Sequence, residues 1–167
     1  FKSDLPFLYS PQIFSSKRNS FDMEYIIGRD FISFVSEGSK AELEMFSNDI
    51  TLYILENIKR CETREIKKEV FEKKILEIYK KRKYLLLLNF LEMVPPKMRI
   101  PTGVCHGDLT LSNIIFKKNK LILIDFLDGF IETPLIDIAK LRQDTKYKWS
   151  LDLYKKKYDF NKVNISL

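Results

Sequence analysis

Asp108, Asn113 and Asp125 are the residues of this sequence whose types and spacing could support chemistry. Asp108 and Asn113 stand five residues apart in a predicted loop, and Asp125 lies in the second of two short apolar segments around a turn. Phosphoryl transfer needs one carboxylate to orient and deprotonate the attacking hydroxyl, and it needs oxygen ligands for the magnesium ions that neutralise the phosphates. The three residues are therefore candidates for phosphoryl-transfer chemistry.

These residues belong to a longer motif. The segment His106-Gly107-Asp108 is followed by Asn113 and then by Ile124-Asp125-Phe126. The spacing matches the protein-kinase catalytic-loop pattern H-R-D-L-x-x-x-N, with Gly107 in place of the arginine. Asp and Asn are also ordinary loop residues, because their side chains hydrogen-bond the nearby backbone. Their joint occurrence at this spacing favours the catalytic interpretation.

The motif closely resembles that of the aminoglycoside phosphotransferase and choline kinase superfamily of small-molecule kinases. The resemblance implies that Asp108 is the catalytic base and that His106 supports the loop. It also implies that ATP is the phosphoryl donor and that Asn113 and Asp125 are ligands of Mg²⁺. Asp128, three residues after Asp125, is a further candidate for the metal shell.

Two flanking segments extend the resemblance. Residues 134–139 are similar to the family's next helix, whose early aspartate, here Asp137, buttresses the catalytic loop. Residues 21–29 are similar to the hinge strand between the two lobes of a kinase, and we predict a strand over residues 21–27, closed by Gly28. In such a hinge, backbone groups beside apolar side chains would bind the adenine edge of ATP. The hinge residues in question are Met23, Glu24, Tyr25 and Ile26.

The resemblance implies an α+β, protein-kinase-like fold with a mainly helical C-terminal lobe and a small β hairpin that carries the catalytic loop. Residues 1–27 are then the end of the N-terminal lobe with the hinge strand, and residues 28–167 are the helical catalytic lobe. The phosphate-covering loop, the strand lysine and the helix glutamate of a complete kinase are not found in the sequence. Most of the N-terminal lobe is therefore expected to lie upstream and to act in cis.

Helical spacing of apolar residues predicts the elements before the motif. A helix is predicted from Ser39, with Glu42 completing a capping box, to about Arg60. A second helical stretch is predicted after Thr63. It continues to Val94, with a break within it left open, and two prolines stop it there. The apolar run within it, residues 84–94, is predicted to be a buried helix segment because it is too short to span a membrane.

The pattern of apolar residues changes after the two prolines. Apolar segments at residues 104–116 and 121–126, separated by a polar turn at residues 117–120, predict a small hairpin. Pro134 then predicts the start of a helix over residues 135–142, since proline is tolerated in the first turn.

Composition limits the class of protein. The 167 residues include 45% hydrophobic residues, enough for one domain or one lobe with a real core. The two cysteines, Cys61 and Cys105, and the one histidine argue against a disulfide framework and against a multi-histidine metal centre. Cys105 beside His106 suggests either a nucleophile pair or a buried thiol, and we favour the buried thiol. No signal peptide is predicted at residues 1–4, so a cytoplasmic location without a membrane partner is expected.

The net charge of +6 raises the question of an anionic partner. Much of it lies between Lys59 and Lys83, where alternating glutamates indicate a solvated helix face. The aromatic C-terminal segment with Lys155, Lys156 and Lys157 is compatible with nucleic-acid binding, but core packing is the favoured interpretation.

The expected function is ATP- and Mg²⁺-dependent transfer of the γ-phosphate to a hydroxyl of a small molecule, which is a sugar-like alcohol, an amino alcohol or an aminoglycoside. The alternative is a non-catalytic binding module with a kinase-like lobe. The sequence leaves the acceptor open, with a sugar-like alcohol as the favoured guess.

Overall fold

The computed structural model describes residues 5–152, 154 and 157–166. The first half of the chain forms β1 (Leu8–Tyr9), β2 (Ile13–Lys17), β3 (Ser20–Met23), β4 (Arg29–Asp30), α1 (Phe31–Glu37) and α2 (Lys40–Lys59). The segment that follows comprises β5 (Glu62–Lys67), α3 (Lys68–Arg82), α4 (Leu86–Met93) and β6 (Lys97–Thr102). The last part contains a 3-10 turn (Leu111–Asn113), β7 (Ile114–Lys117), β8 (Lys120–Leu123), α5 (Pro134–Tyr147), α6 (Trp149–Asp152) and α7 (Phe160–Ser166). Residues 1–4, Lys155 and Lys156 lie outside the described residues, and so do the predictions that rest on them.

A four-stranded sheet in the order β1-β8-β7-β4 lies at the centre of the fold. β1 pairs in parallel with β8, and the other two pairings are antiparallel. Helices α1 and α2 cover this sheet with aromatic side chains, and the rings of Phe34 and Phe116 stack with centroids 3.7 Å apart. Phe46 of α2 packs edge-on against Phe116. The α+β, kinase-like class predicted from the motif is confirmed.

Several predicted elements have the expected bounds. Helix α2 begins after a capping box in which Ser39 and Glu42 bond reciprocally, and its C-cap is Arg60. The hairpin is formed by β7 and β8, which pair from Ile114 with Leu123 to Lys117 with Lys120. The helix predicted from Pro134 is α5, which extends five residues beyond the predicted end at Arg142. A Thr133 side-chain cap stabilises its first turn.

The prediction of a helix directly after Thr63 is wrong for the first residues. This segment is β5, which pairs antiparallel with β6 from Glu62 opposite Thr102 to Lys67 opposite Lys97. An ion pair of 2.8 Å joins Glu65 and Lys97 across the two strands. The two paired segments are about thirty-five residues apart in the sequence. The residue pattern within β5 alone therefore does not reveal its pairing with β6. The break that the sequence left open in the helical stretch lies at Lys83, which has a left-handed φ of 53°.

The prediction that residues 84–94 form a buried helix segment is also wrong. Helix α4 packs against α3 but has no buried side chain, and Leu86 and Met93 are 79% and 80% exposed. Val94, directly after the helix, is buried. Apolar composition favours burial, but an eight-residue helix packed against one neighbouring helix leaves most of its surface exposed.

Within the part of the chain that the structure describes, no helix is long and apolar enough to cross a membrane. Cys61 and Cys105 are both free thiols. The Cys105 side chain, which the sequence predicts to be buried, is only half-buried.

Candidate active site

His106 is completely buried below the predicted catalytic loop. Its Nε2 lies 2.8 Å from the carbonyl oxygen of Ile124, so Nε2 carries the proton and donates. Its Nδ1 accepts the backbone N–H of Asp108 at 3.3 Å, and the ring stacks on Phe126 with centroids 4.3 Å apart. Burial lowers the pKa of His106 below its ordinary value. A neutral ring bonded on both sides is suited to supporting the loop.

The same contacts remove one alternative for the neighbouring thiol. Both nitrogens of His106 are engaged by backbone groups, so the ring does not form a nucleophile pair with Cys105. Burial is the main cause that raises the pKa of the Cys105 thiol, which disfavours the reactive thiolate.

Asp137 connects α5 to the loop. Its two carboxylate oxygens accept the backbone N–H groups of His106 at 2.8 Å and Gly107 at 2.9 Å. The carboxylate is completely buried, and this burial raises its pKa despite the two hydrogen bonds. Two consecutive loop amides are therefore fixed by one side chain in the first turn of α5.

Lys140 and Asp144 continue this connection along one face of α5. The Lys140 Nζ lies 2.8 Å from Oδ1 of Asp108. The buried carboxylate of Asp144 accepts the backbone N–H of Leu111 at 2.6 Å, and it accepts both the N–H and the hydroxyl of Ser150 at 2.7 Å. Asp137, Lys140 and Asp144 are spaced i, i+3 and i+7, which places them on the same helix face. Together they hold the catalytic loop from residue 106 to residue 111.

Sequence reasoning identified Asp137 and missed Lys140, Asp144 and Ser150. The signal that could have found the first two is their helical spacing from Asp137. Ser150 lies beyond the end of α5 and has no such signal.

Asn113 ends the 3-10 turn and bonds directly to Asp108. Its Nδ2 donates to the backbone oxygen of Asp108 at 2.8 Å and to the carboxylate Oδ2 at 3.3 Å. Since both contacts use the amide nitrogen, the amide oxygen Oδ1 points away from Asp108. That oxygen is of the type that binds Mg²⁺.

Asp125 follows β8 in a left-handed backbone conformation, with φ of 59°. Its neighbours on both sides are attached to the loop, because Ile124 N–H donates to Asn113 and Leu127 N–H donates to His106. Asp125 itself is exposed. A short polar side chain tolerates this conformation best, which suits an aspartate here.

A cleft of about 570 Å³ brings Asp108, Asn113 and Asp125 together. Apolar side chains of the β2–β3 hairpin also line it. These are Ile13, Phe21 and Met23. Of the four predicted hinge residues, Met23 is therefore the one that lines the same cleft.

The other three hinge residues lie elsewhere. The predicted strand over residues 21–27 ends at Met23. Glu24 and Ile26 line a separate cavity of about 720 Å³, where the Glu24 carboxylate accepts a hydrogen bond from the Tyr9 hydroxyl, and Tyr25 is 86% exposed. The chain leaves the hairpin here to join the central sheet at β4. Gly28 permits the approach, since a Cβ there would lie 2.6 Å from the Ile115 side chain.

Asp128 lines a third cavity, of about 730 Å³, together with Asn57 and Arg60. This cavity shares Phe126 and Leu127 with the cleft and therefore adjoins it. The structure thus places Asp128 beside the three clustered residues and not among them.

The oxygen donors of the cleft fit Mg²⁺ that arrives with a nucleotide. No three His, Cys, Asp or Glu side chains among the described residues are grouped to hold a metal ion. Mg²⁺ usually keeps several waters and binds one or two carboxylates together with substrate phosphates. Asp125 and Asn113 supply one carboxylate and one amide oxygen on the same cleft, a set that suits this mode of binding.

The fold and this arrangement define a kinase-like phosphotransferase. The family model described as "Phosphotransferase enzyme family" (APH) matches residues 40–155, which is more than half of the chain. The chain therefore belongs to the phosphotransferase enzyme family, and the resemblance stated from the motif is confirmed.

One curated relative is a KEOPS complex subunit Bud32 from Pyrococcus abyssi (strain GE5 / Orsay). It is 41% identical over 54 residues, which cover 28% of this chain and 24% of that protein. The chain thus spans about a quarter of the length of the relative. No solved structure matches.

Proposed function

We propose that this chain is the catalytic lobe of a kinase that transfers the γ-phosphate of ATP, with Mg²⁺, to a hydroxyl group of a small molecule. The observation that carries the proposal is the single cleft shared by Asp108, Asn113 and Asp125. Family membership supports phosphoryl transfer in general, and the cleft supports the particular roles.

Asp108 is the proposed base. Its Oδ1 is buried against Lys140, so Oδ2 is the oxygen that can accept the proton of an acceptor hydroxyl. The Asn113 amide lies 3.3 Å from Oδ2 and orients the carboxylate. Orientation of this kind is the main contribution a protein makes to phosphoryl transfer, since the transition state needs little covalent help.

Asn113 and Asp125 are the proposed ligands of Mg²⁺, which supplies neutralisation of phosphate charge when bound. The left-handed backbone at Asp125 and the bonds of its neighbours to the loop hold its carboxylate near Asn113. On the far side of the cleft, Met23 and the β2–β3 hairpin offer an apolar surface for the base of the nucleotide. Glu24, Tyr25 and Ile26 continue this segment, and the remainder of an N-terminal lobe would complete the site in cis.

The adjoining cavity is the proposed acceptor site. Its volume of about 730 Å³ accommodates a small molecule, and its lining is rich in polar side chains. Asn57, Arg60 and Asp128 offer hydrogen bonds to hydroxyl or amino groups. These features support a sugar-like alcohol, an amino alcohol or an aminoglycoside, and we propose that Asp128 binds the acceptor.

A transfer assay tests the proposal. The protein, with an N-terminal lobe in cis, is incubated with Mg²⁺ and ATP labelled in the γ-phosphate, together with a panel of sugars, amino alcohols and aminoglycosides. We expect label on one acceptor class, and we expect Asp108→Asn to lower the rate by about 10²- to 10⁴-fold. Asp152→Asn, an exposed substitution on α6, is the matched control and should keep the wild-type rate.

Two outcomes would contradict the proposal. An unchanged rate in Asp108→Asn would remove this residue as the base. A chain that binds ATP and labels no acceptor would favour the non-catalytic binding module with a kinase-like lobe.

A further inference from the structure

Lys140 is the cation that lies against the proposed base. Its Nζ is 2.8 Å from Oδ1 of Asp108, and its side chain is 37% exposed, while that of Asp108 is 24% exposed. Both side chains are partly buried, so this ion pair is screened less than a pair between fully exposed side chains. The contact therefore fixes one edge of the Asp108 carboxylate.

The position of Lys140 on α5 makes this contact specific. Asp137, one turn earlier, holds the amides of His106 and Gly107, and Asp144, one turn later, holds the amide of Leu111. Both anchors are buried carboxylates bonded to backbone. Lys140 is placed between two fixed points, so its ammonium is presented to residue 108 by a rigid helix.

The charge of Lys140 is also unusual in its surroundings. The described residues that line the cleft include Asp108 and Asp125 but no lysine or arginine. Two carboxylates that share a cleft repel each other and a negatively charged phosphate. Lys140 offsets the charge of Asp108 by contacting its buried oxygen Oδ1. The other oxygen, Oδ2, faces Asn113.

We propose that Lys140 is a positioning residue for phosphoryl transfer, which acts by holding the Asp108 carboxylate with Oδ2 directed at the acceptor hydroxyl. This inference rests on the proposed function and deepens it. It assigns a role to a residue outside the catalytic-loop motif, through a side chain that reaches the loop from α5.

The test compares Lys140→Met and Lys140→Arg in the transfer assay. Methionine keeps the length and packing of the side chain and removes the charge. We expect Lys140→Met to lower kcat about 10²-fold, similar to the loss of one preorganised charged contact, while KM for ATP changes less than about twofold because the nucleotide ligands are intact. Lys140→Arg keeps the positive charge, so its kcat should be about tenfold higher than that of Lys140→Met.

Lys146→Met is the matched control. Lys146 is on the same helix but points to the ring of Tyr147, with Nζ 5.4 Å from the ring centroid. It should keep the wild-type kcat. Thermal unfolding of each variant verifies that it is folded.

A double-mutant cycle with Asp108→Asn separates a positioning role from a general structural role. If Lys140 acts through Asp108, Lys140→Met should change the residual rate of Asp108→Asn by less than about twofold. An equal loss in both backgrounds, or a folded Lys140→Met with wild-type kcat, would overturn the inference alone. A wild-type protein that has an N-terminal lobe in cis and still shows no transfer would overturn the proposed function, and this inference with it.

Discussion

Gly107 and Leu127 lie so close together that residue 107 has no room for a side chain. A Cβ on Gly107 would lie 1.9 Å from the carbonyl oxygen of Leu127, and Gly107 has a φ of +81°, which side-chain-bearing residues rarely adopt. The Leu127 segment is held there because its N–H donates to the carbonyl oxygen of His106 at 2.9 Å. The glycine of the motif thus lets the segment after Asp125 pack on the catalytic loop.

Gly107→Ala should therefore separate these two segments. The left-handed backbone alone costs an alanine about 1–2 kcal/mol, and relief of the collision requires a backbone shift. We expect the free energy of unfolding to fall by at least about 2 kcal/mol and transfer activity to be lost. Urea unfolding measures the first effect. Val104→Ala, an exposed neighbouring substitution, should change stability by less than about 0.5 kcal/mol, and an equally small effect at Gly107 would contradict the close packing.

Asp144 is predicted to be a stability residue of the site. Asp144→Ala would leave the Leu111 amide and the Ser150 amide and hydroxyl without their acceptor in a buried region. Each unsatisfied buried group costs about 1–3 kcal/mol, so we expect a loss of about 3 kcal/mol after partial relaxation. Denaturant unfolding measures this loss, with Asp152→Ala as the control because the Asp152 carboxylate is nearby in the sequence and exposed. A loss as small as that of the control would show that water replaces these bonds.

His106 should titrate below its ordinary pKa of about 6.5. Burial disfavours the charged ring, and the acceptor role of Nδ1 requires the neutral form. Because the unfolded state then binds more protons than the folded state, the stability from His106 is present above about pH 6.5 and is lost as the pH falls below it. Since His106 is the one histidine of the sequence, its NMR signal is unambiguous. A titration midpoint at or above 6.5 would contradict the buried, neutral ring.

Burial of Asp137 acts in the opposite direction on the pH dependence. Its raised pKa means that the folded state binds a proton more readily than the unfolded state. The contribution of Asp137 to the free energy of unfolding therefore increases as the pH falls through that raised pKa. His106→Gln removes the histidine contribution alone. The slope of stability below about pH 6.5 should therefore flatten in His106→Gln.

The parts of the fold that sequence could predict are those that depend on local signals. The Ser39–Glu42 capping box, the turn at Lys118 between two apolar strands and Pro134 at the start of α5 are each determined by a few adjacent residues. The catalytic motif is local in the same sense. Residues 106, 108 and 113 share one short loop, and Asp125 comes two residues after the end of the adjoining strand β8.

The parts that sequence could not predict depend on contacts between distant segments. The pairing of β5 with β6 and the end of the β3 strand at Met23 are determined by partners elsewhere in the chain. The exposure of α4 depends on how few neighbours surround it, which apolar composition does not reveal. Lys140 and Asp144 also reach the loop from a helix about thirty residues later, so their roles become visible only when α5 is placed beside it.

The measurement that tests the central claim most directly is Mg²⁺-dependent binding of ATP, followed by thermal shift on the protein with an N-terminal lobe in cis and on two variants of it. Asp125→Ala removes a carboxylate from the cleft, whereas Asp128→Ala removes one from the adjoining cavity. At about one hundred times its dissociation constant, a ligand of the folded state adds about 2.7 kcal/mol of stability.

We expect a Mg²⁺-dependent upward shift in the wild-type chain and in Asp128→Ala, and none in Asp125→Ala. A shift that persists in Asp125→Ala, or the absence of any Mg²⁺-dependent shift in the wild-type chain, would contradict the assignment of this cleft as the nucleotide site.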